Sequence, residues 1–321
     1  MDLIISDIEV EKLIYPLAKP YVLSFTVLKE FISIQTKVTL NNGQNRIAEV
    51  IPLFGYNSHT ASSIIEFIES KKNIITGLKI KSARNYLEKY IYSDAFSVSP
   101  LITAIDLFNF QENLYWKDFN NFVIPVSTES ISNLNRIINE TTYSSQTLKI
   151  KLSGDLNKDI IAFKSLSKHS FKNKLRLDAN QAYSLDLAVD IFNYINQSPI
   201  KSKILYVEQP LLDNDWIGHE YLRDNFPEIE IMLDESIVNA EDVLKAKKIG
   251  INYLKLKLFK QGGISELVNL ASFANNMGMK VVLGNGVASS LSNMIEVSLY
   301  LKYPELFILP LEANGYLKIK K

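Results

Sequence analysis

Apolar and polar positions along this chain follow two different rhythms. Residues 4–16, 31–40 and 47–52 read as antiparallel strands, and Asn41-Asn42-Gly43 between the last two is a hairpin signal. Residues 60–70, 80–92 and 99–114 then space their apolar side chains at the helical period. Strands followed by helices describe a small α+β unit ending near Lys117-Asp118. Beyond it, short apolar runs begin near residues 122, 147, 174, 203, 229, 253, 280 and 306, a period of about 26. Amphipathic stretches such as 185–197, 241–248 and 264–277 fill the gaps. This pattern predicts an α/β fold: a modified (β/α)8 barrel over 119–311, its eighth unit cut short, behind an α+β capping domain over 1–118. The tail, 312–321, is a candidate addition to the cap.

The barrel runs carry charge where they stop. Leu148-Lys149-Ile150-Lys151, Leu175-Arg176-Leu177-Asp178, Leu205-Tyr206-Val207-Glu208, Ile231-Met232-Leu233-Asp234 and Tyr253-Leu254-Lys255-Leu256-Lys257 are too short for helices. A doubly wound sheet would instead show a Gly-rich first turn. Charges recurring at strand ends are how barrel enzymes assemble catalytic groups.

Side chains two apart on a strand share a face, so Lys149 pairs with Lys151 and Asp178 with Asn180. Two close ammonium groups lower each other's proton affinity, which would make one of them a base near neutral pH. An edge strand showing two lysines to water would also explain that pair taken alone. Asp178, Glu208 and Asp234 end three neighbouring strands. Their convergence calls for a hard divalent cation, and an oxygen-only set suits magnesium better than zinc. Helix N-capping would explain Asp178 or Asp234 singly, and Glu208 before Gln209-Pro210 much less well. Lys255 and Lys257 end the sixth run, and either can face the first lysine pair. Lys260 reads as a solvated loop charge, and Gly262-Gly263 as a tight loop before a helix. Of the histidines, His169 and His219 read as surface residues, and His59 as a loop residue near substrate.

Composition narrows the classes. The 321 residues include 47% hydrophobic and 22% charged positions, enough for a sizeable core. Thirty-five basic residues balance 35 acidic ones, which argues against a nucleic-acid surface. Zero cysteines exclude disulfides, thiolate nucleophiles and Cys-bound zinc. No signal peptide or membrane-length apolar run is visible. The expectation is a cytoplasmic homo-oligomer that binds neither membrane nor nucleic acid.

In these motifs the chain resembles the enolase superfamily, in its muconate-lactonizing (mandelate racemase-like) subgroup. The matching segments are Lys149-Ile150-Lys151, Asp178-Ala179-Asn180-Gln181, Glu208-Gln209-Pro210, Asp234-Glu235-Ser236 and Lys257 ahead of Gly262-Gly263. Glu49-Val50-Ile51-Pro52-Leu53-Phe54-Gly55-Tyr56 is similar to a capping-domain stretch of that family, with Ala48 at its usual Gly. The resemblance implies Lys151 and Lys257 as acid/base lysines and Asp178, Glu208 and Asp234 as ligands of Mg2+, with Mn2+ as a substitute. Lys149, Asn180 and Glu235 become supporting groups. Phe54, Tyr56 and Asn285 become substrate contacts, the first two in loops (19–24 and 54–59) that close over the barrel mouth. Lys149 and the metal are expected to depress the two catalytic lysines.

The implied activity is a metal-dependent isomerase: a racemase, epimerase or cycloisomerase that removes the proton α to a carboxylate through an enediolate. A dehydratase on the same scaffold, o-succinylbenzoate synthase, is the alternative. A Schiff-base aldolase barrel is the remote one. Two departures leave the substrate open. Leu311-Glu312-Ala313-Asn314 stands where dipeptide epimerases carry Asp-x-Asp, and Gly284-Asn285-Gly286 stands where acylamino-acid racemases carry Gly-Gly-Met-x-Glu.

Overall fold

The computed structural model describes residues 2–23, 26–53, 58–110, 114, 119–127, 136, 146–168 and 171–320. Strands β1 (Ile5–Val22), β2 (Val27–Leu40) and β3 (Asn45–Val50) form an antiparallel sheet in that order. From Phe31 on, β2 largely alternates buried and half-buried residues, so one face is core and the other meets solvent. Helices α1 (Ala61–Ile75), α2 (Ile80–Glu88) and α3 (Ile91–Asp106) cover the core face. Thr60 and Ser63 form a capping box that starts α1. The helical pattern at 99–114 belongs to α3, which begins earlier and ends at Asp106. The expected boundary at Lys117-Asp118 lies outside the described residues.

Seven parallel strands follow: β4 (Ile124–Ser127), β5 (Leu148–Lys151), β6 (Leu175–Asp178), β7 (Ile204–Glu208), β8 (Ile231–Leu233), β9 (Tyr253–Leu256) and β10 (Lys280–Leu283). Each pairs with its neighbour in sequence, the order a barrel requires. Helices close the units, among them α4 (Leu156–Ser167), α5 (Leu185–Gln197), α6 (Trp216–Asn225), α7 (Ala240–Lys248), the single turn α8 (Leu258–Gln261), α9 (Ile264–Asn276) and α10 (Ser290–Lys302). Their apolar stripes and the strands make a second core, separate from that of the cap.

The eighth run does not form a ladder strand. Residues 304–306 are a 3-10 turn, and the chain then threads between the sheet's two edges. Ile308 and Glu312 donate their N–H groups to Val281 and Leu283 on one side, while Leu311 exchanges bonds with Asn121 and Val123 on the other. Pro310 has no N–H to give, so the contacts skip where a regular strand would continue. The close approach requires glycine at 284, where a Cβ would lie 2.5 Å from the Ala313 nitrogen. Past this seam the tail turns back to the cap: Ile319 bridges Leu17, and Lys320 N–H donates to the Pro16 carbonyl.

Candidate active site

Register sets the geometry. Lys151 pairs with Asp178 across β5 and β6, and Asp178 with Glu208 across β6 and β7. Asp234 and Lys257 stand one residue past the ends of β8 and β9. The charged strand ends therefore form one rim at the carboxyl end of the barrel. Beneath it a second layer holds Lys149, Arg176, Tyr206, Met232 and Lys255, two residues back on each strand.

The charges form a continuous lysine–carboxylate lattice. Lys149 Nζ donates to Glu208 Oε1 at 2.9 Å and to Glu312 Oε1 at 2.7 Å, and lies 2.8 Å from Asp178 Oδ2. Lys151 Nζ reaches Asp178 Oδ2 at 2.5 Å and Asn180 Oδ1 at 2.6 Å. Lys255 pairs with Glu208 at 2.9 Å and also with Glu312. On the far side, Lys257 and Lys260 hold Asp234 at 2.6 and 2.9 Å. Asn180 Nδ2 donates to Glu235 Oε1 at 3.3 Å, linking the two sides.

Burial pulls each of these groups toward neutrality, and its partners decide the outcome. Burial would raise Asp178, but Lys149 and Lys151 outweigh it and hold the carboxyl at about 2. Asp234 falls well below its ordinary value in the same way, through Lys257 and Lys260. Glu208 goes up, because burial and the Asp178 charge exceed the pull of its lysines. Burial and Asp234 push Glu235 to about 7. Lys255 goes down by burial. Burial lowers Lys151, yet the Asp178 charge prevails and its affinity for the proton rises. The neighbouring Lys149 lowers it as well, but by less than Asp178 raises it.

Two further expectations are corrected. Lys260 is buried, since the α8 turn carries it back under the rim, where it also donates to the Lys255 carbonyl at 2.8 Å. His219 is fully buried on α6, its Nδ1 2.7 Å from the Asp215 carbonyl. His59 lies 2.8 Å from Asp94 and stacks on Phe96, within the cap. His169 lies outside the described residues.

The rim lines a cavity with Lys149, Lys151, Asp178, Asn180, Asp234 and Lys257 at its charged floor and Asn285, Gly286 and Val287 at one side. Tyr21, Leu23, Ile51 and Leu53 from the cap, with Phe259, supply an apolar wall. Residues 19–22 extend β1 rather than forming a loop. Phe54 and Tyr56 lie outside the described residues.

The donor chemistry fits a hard divalent ion. Every acidic side chain on the rim offers carboxylate oxygen, and Glu208 Oε2 is buried without a hydrogen bond although Lys149 Nζ lies 2.9 Å away. As they stand, no three acidic or histidine side chains among the described residues enclose an ion. Ammonium groups, rather than protein bulk, lie between the carboxylates.

Glu312 appears in the sequence only within a departure from the dipeptide-epimerase motif and has no role assigned there. It is the charge that ends the eighth apolar run, so the rule that picked out Glu208 would have found it. Lys149 and Lys255 hold it far below the usual carboxylate range against the effect of burial.

A parallel barrel with a lysine-and-carboxylate rim under an α+β cap defines an enzyme of the enolase superfamily. The family model described as Enolase C-terminal domain-like matches residues 134–316, and the chain belongs to that family. An L-Ala-D/L-Glu epimerase of Thermotoga maritima is 24% identical over 293 residues, 86% of this chain and 83% of its own. A mandelate racemase/muconate lactonizing protein of Herpetosiphon aurantiacus superposes with a TM-score of 0.87 at 18% identity, covering 100% of this chain and 92% of its own. A dipeptide epimerase of Methylococcus capsulatus, solved with Mg and the dipeptide L-Arg-D-Lys, gives 0.84 at 18% identity, covering 100% and 93%. The chain is an enzyme of this superfamily, and the curated relatives it resembles are epimerases. Among the described residues no helix is long and apolar enough to cross a membrane.

Proposed function

We propose that the chain racemises or epimerises a carbon α to a carboxylate, with Lys151 and Lys257 as its two proton carriers. The observation that carries this reading is their placement. They come from strands on different sides of the barrel, line one cavity, and are held by different carboxylates, Asp178 and Asp234. A carbon between them would have an amine on each face, which is what inversion by proton transfer requires. Asp178, Glu208 and Asp234 would hold Mg2+, or Mn2+ with the same preference for oxygen. Bound there, the ion would supply Lewis-acid stabilisation of the negative charge that grows on the substrate carboxylate.

The remaining work falls to the protein. Lys151 must release its proton before acting as a base, and weakening its contact with Asp178 makes that easier. Asn180 fixes the Lys151 nitrogen at 2.6 Å. The cap wall of Tyr21, Leu23, Ile51 and Leu53 keeps water from the reacting carbon and shapes selection among substrates. Phe54 and Tyr56 follow Leu53 in sequence and remain proposed substrate contacts. The relatives' dipeptides make an α-substituted amino-acid carboxylate the leading substrate type.

Exchange of the substrate α-proton in deuterated water, followed by NMR, tests the reading. Wild-type enzyme with Mg2+ should exchange and interconvert both isomers. Lys257→Ala should exchange one isomer through Lys151 while interconversion stops. Undiminished interconversion in that variant would remove Lys257 from the role.

A further inference from the structure

Directly behind the cavity wall beside β10 stands a cation that the reaction above does not use. Lys318 rides on the tail turn Gly315–Lys318, beyond the seam that closes the barrel. Its Nζ donates to the Gly286 carbonyl at 2.7 Å and to Asn314 Oδ1 at 3.2 Å, and stands 4.7 Å above the ring of Tyr21. Gly286 and Tyr21 both line the cavity. A Cβ at position 286 would meet Lys318 Nζ at 3.4 Å and Glu312 Oε1 at 3.6 Å, so the absent side chain leaves the ammonium next to the substrate space.

No carboxylate among the described residues pairs with Lys318. The acid nearest it in this wall, Glu312, is held by Lys149 and Lys255. A half-buried ammonium served only by neutral oxygens and a ring face has given up hydration without gaining an opposite charge. Burial accordingly draws its pKa down to about 7, against the pull of Glu312. An anion bound beside it would restore the missing partner. An ammonium there would meet Lys318 and an acid already engaged by two lysines.

We propose that Lys318 is a specificity-determining residue that selects substrates bearing a second anionic group, remote from the reacting carboxylate, over substrates with a free ammonium at that end. This rests on the proton-transfer reading of the same site.

The test uses full-length enzyme with Mg2+ and three N-acyl leucines whose acyl caps have equal length and end in carboxylate, carboxamide or ammonium. Wild type should favour the carboxylate cap in kcat/KM by about tenfold or more, the range of a charge-assisted hydrogen bond. Lys318→Gln should lose that preference mainly through KM, Lys318→Arg should keep it, and Lys318→Glu should shift it toward the ammonium cap. A wild type that prefers the ammonium cap, or a Lys318→Gln enzyme with the parental ranking, overturns the assignment. Calorimetric binding of the same ligands separates it from the reaction chemistry. If no compound exchanges its α-proton, the proton-transfer reading fails for this series. Tighter binding of the carboxylate cap by wild type than by Lys318→Gln would still support Lys318, and equal binding would refute it.

Discussion

The floor and the roof of the cavity are built from opposite materials. The floor is a lattice of lysines and carboxylates on strand ends, nearly all buried and most held by two or more partners. The roof is Tyr21, Leu23, Ile51 and Leu53 from the capping domain, whose side chains offer mostly surface and shape. A charged group can stabilise a developing charge only if it is fixed beforehand, so the chemistry belongs on the rigid barrel. Selection among substrates needs adjustable contact area, and that lies on a separate element. Changing the floor should therefore alter what the enzyme does, and changing the roof should alter what it accepts.

The largest expected effect comes from the floor. Asp234→Asn should abolish turnover and magnesium binding by calorimetry while circular dichroism stays native. Full turnover in metal-free buffer would contradict this assignment. Next, Lys151→Ala should cost roughly 10²–10⁴-fold in kcat, the usual contribution of an acid–base group, with metal affinity little changed. A loss expressed only in KM would make Lys151 a binding group.

Between floor and roof stands a latch. Glu49 of β3 accepts from Ser33 at 2.8 Å within the cap, and from Ser289 N–H at 3.2 Å and Ser292 at 3.1 Å at the start of α10. Glu49→Ala should lower stability by about 1–3 kcal/mol, since it leaves buried donors without an acceptor. Urea melts would show it, and an unchanged midpoint would mean that the cap stays docked without the latch. The roof should give a smaller, different signal. Leu53→Ala should reorder substrates by roughly tenfold in kcat/KM, the worth of a few buried methyl groups, and leave metal binding alone.

The smallest effect concerns Glu296, buried on α10 behind Asn285. Burial pushes it to about 8 against the hydrogen bond that Asn293 gives it at 2.9 Å. Its folded value lies above its unfolded one, so the native state prefers the protonated form. That contribution is complete below about pH 4.5 and is lost as pH rises through 8. The urea midpoint should drift down across this window in wild type, and Glu296→Gln should flatten the drift. Parallel drifts would place the titration elsewhere.

Several of these groups could be read from sequence because strands impose a strict rule. A run of four or five apolar residues ending in charge can bury its body only if the charged end emerges at a rim, and sequential parallel strands put all such ends on the same rim. That fixed the barrel, the positions of Lys151, Asp178, Glu208, Asp234 and Lys257 at strand ends, and the amphipathic helix at 185–197, which matches α5 residue for residue. The cap's strands and helices followed from period alone, apart from their ends.

Only the tertiary structure decided who touches whom. Lys260 reads as a loop charge until the α8 turn folds it beneath Asp234, and His219 as polar surface until α6 packs it inside. The proton affinity of Lys151 could not be guessed from Lys149 nearby in sequence, because Asp178, 27 residues away, raises it by more than Lys149 lowers it. Lys318 reaches Gly286 and Tyr21 in the cavity wall only because the chain past Pro310 closes the barrel and returns to β1. Local pattern determines which residues can be buried or must end a strand. Charge balance and proximity between distant segments depend on how those segments meet in space.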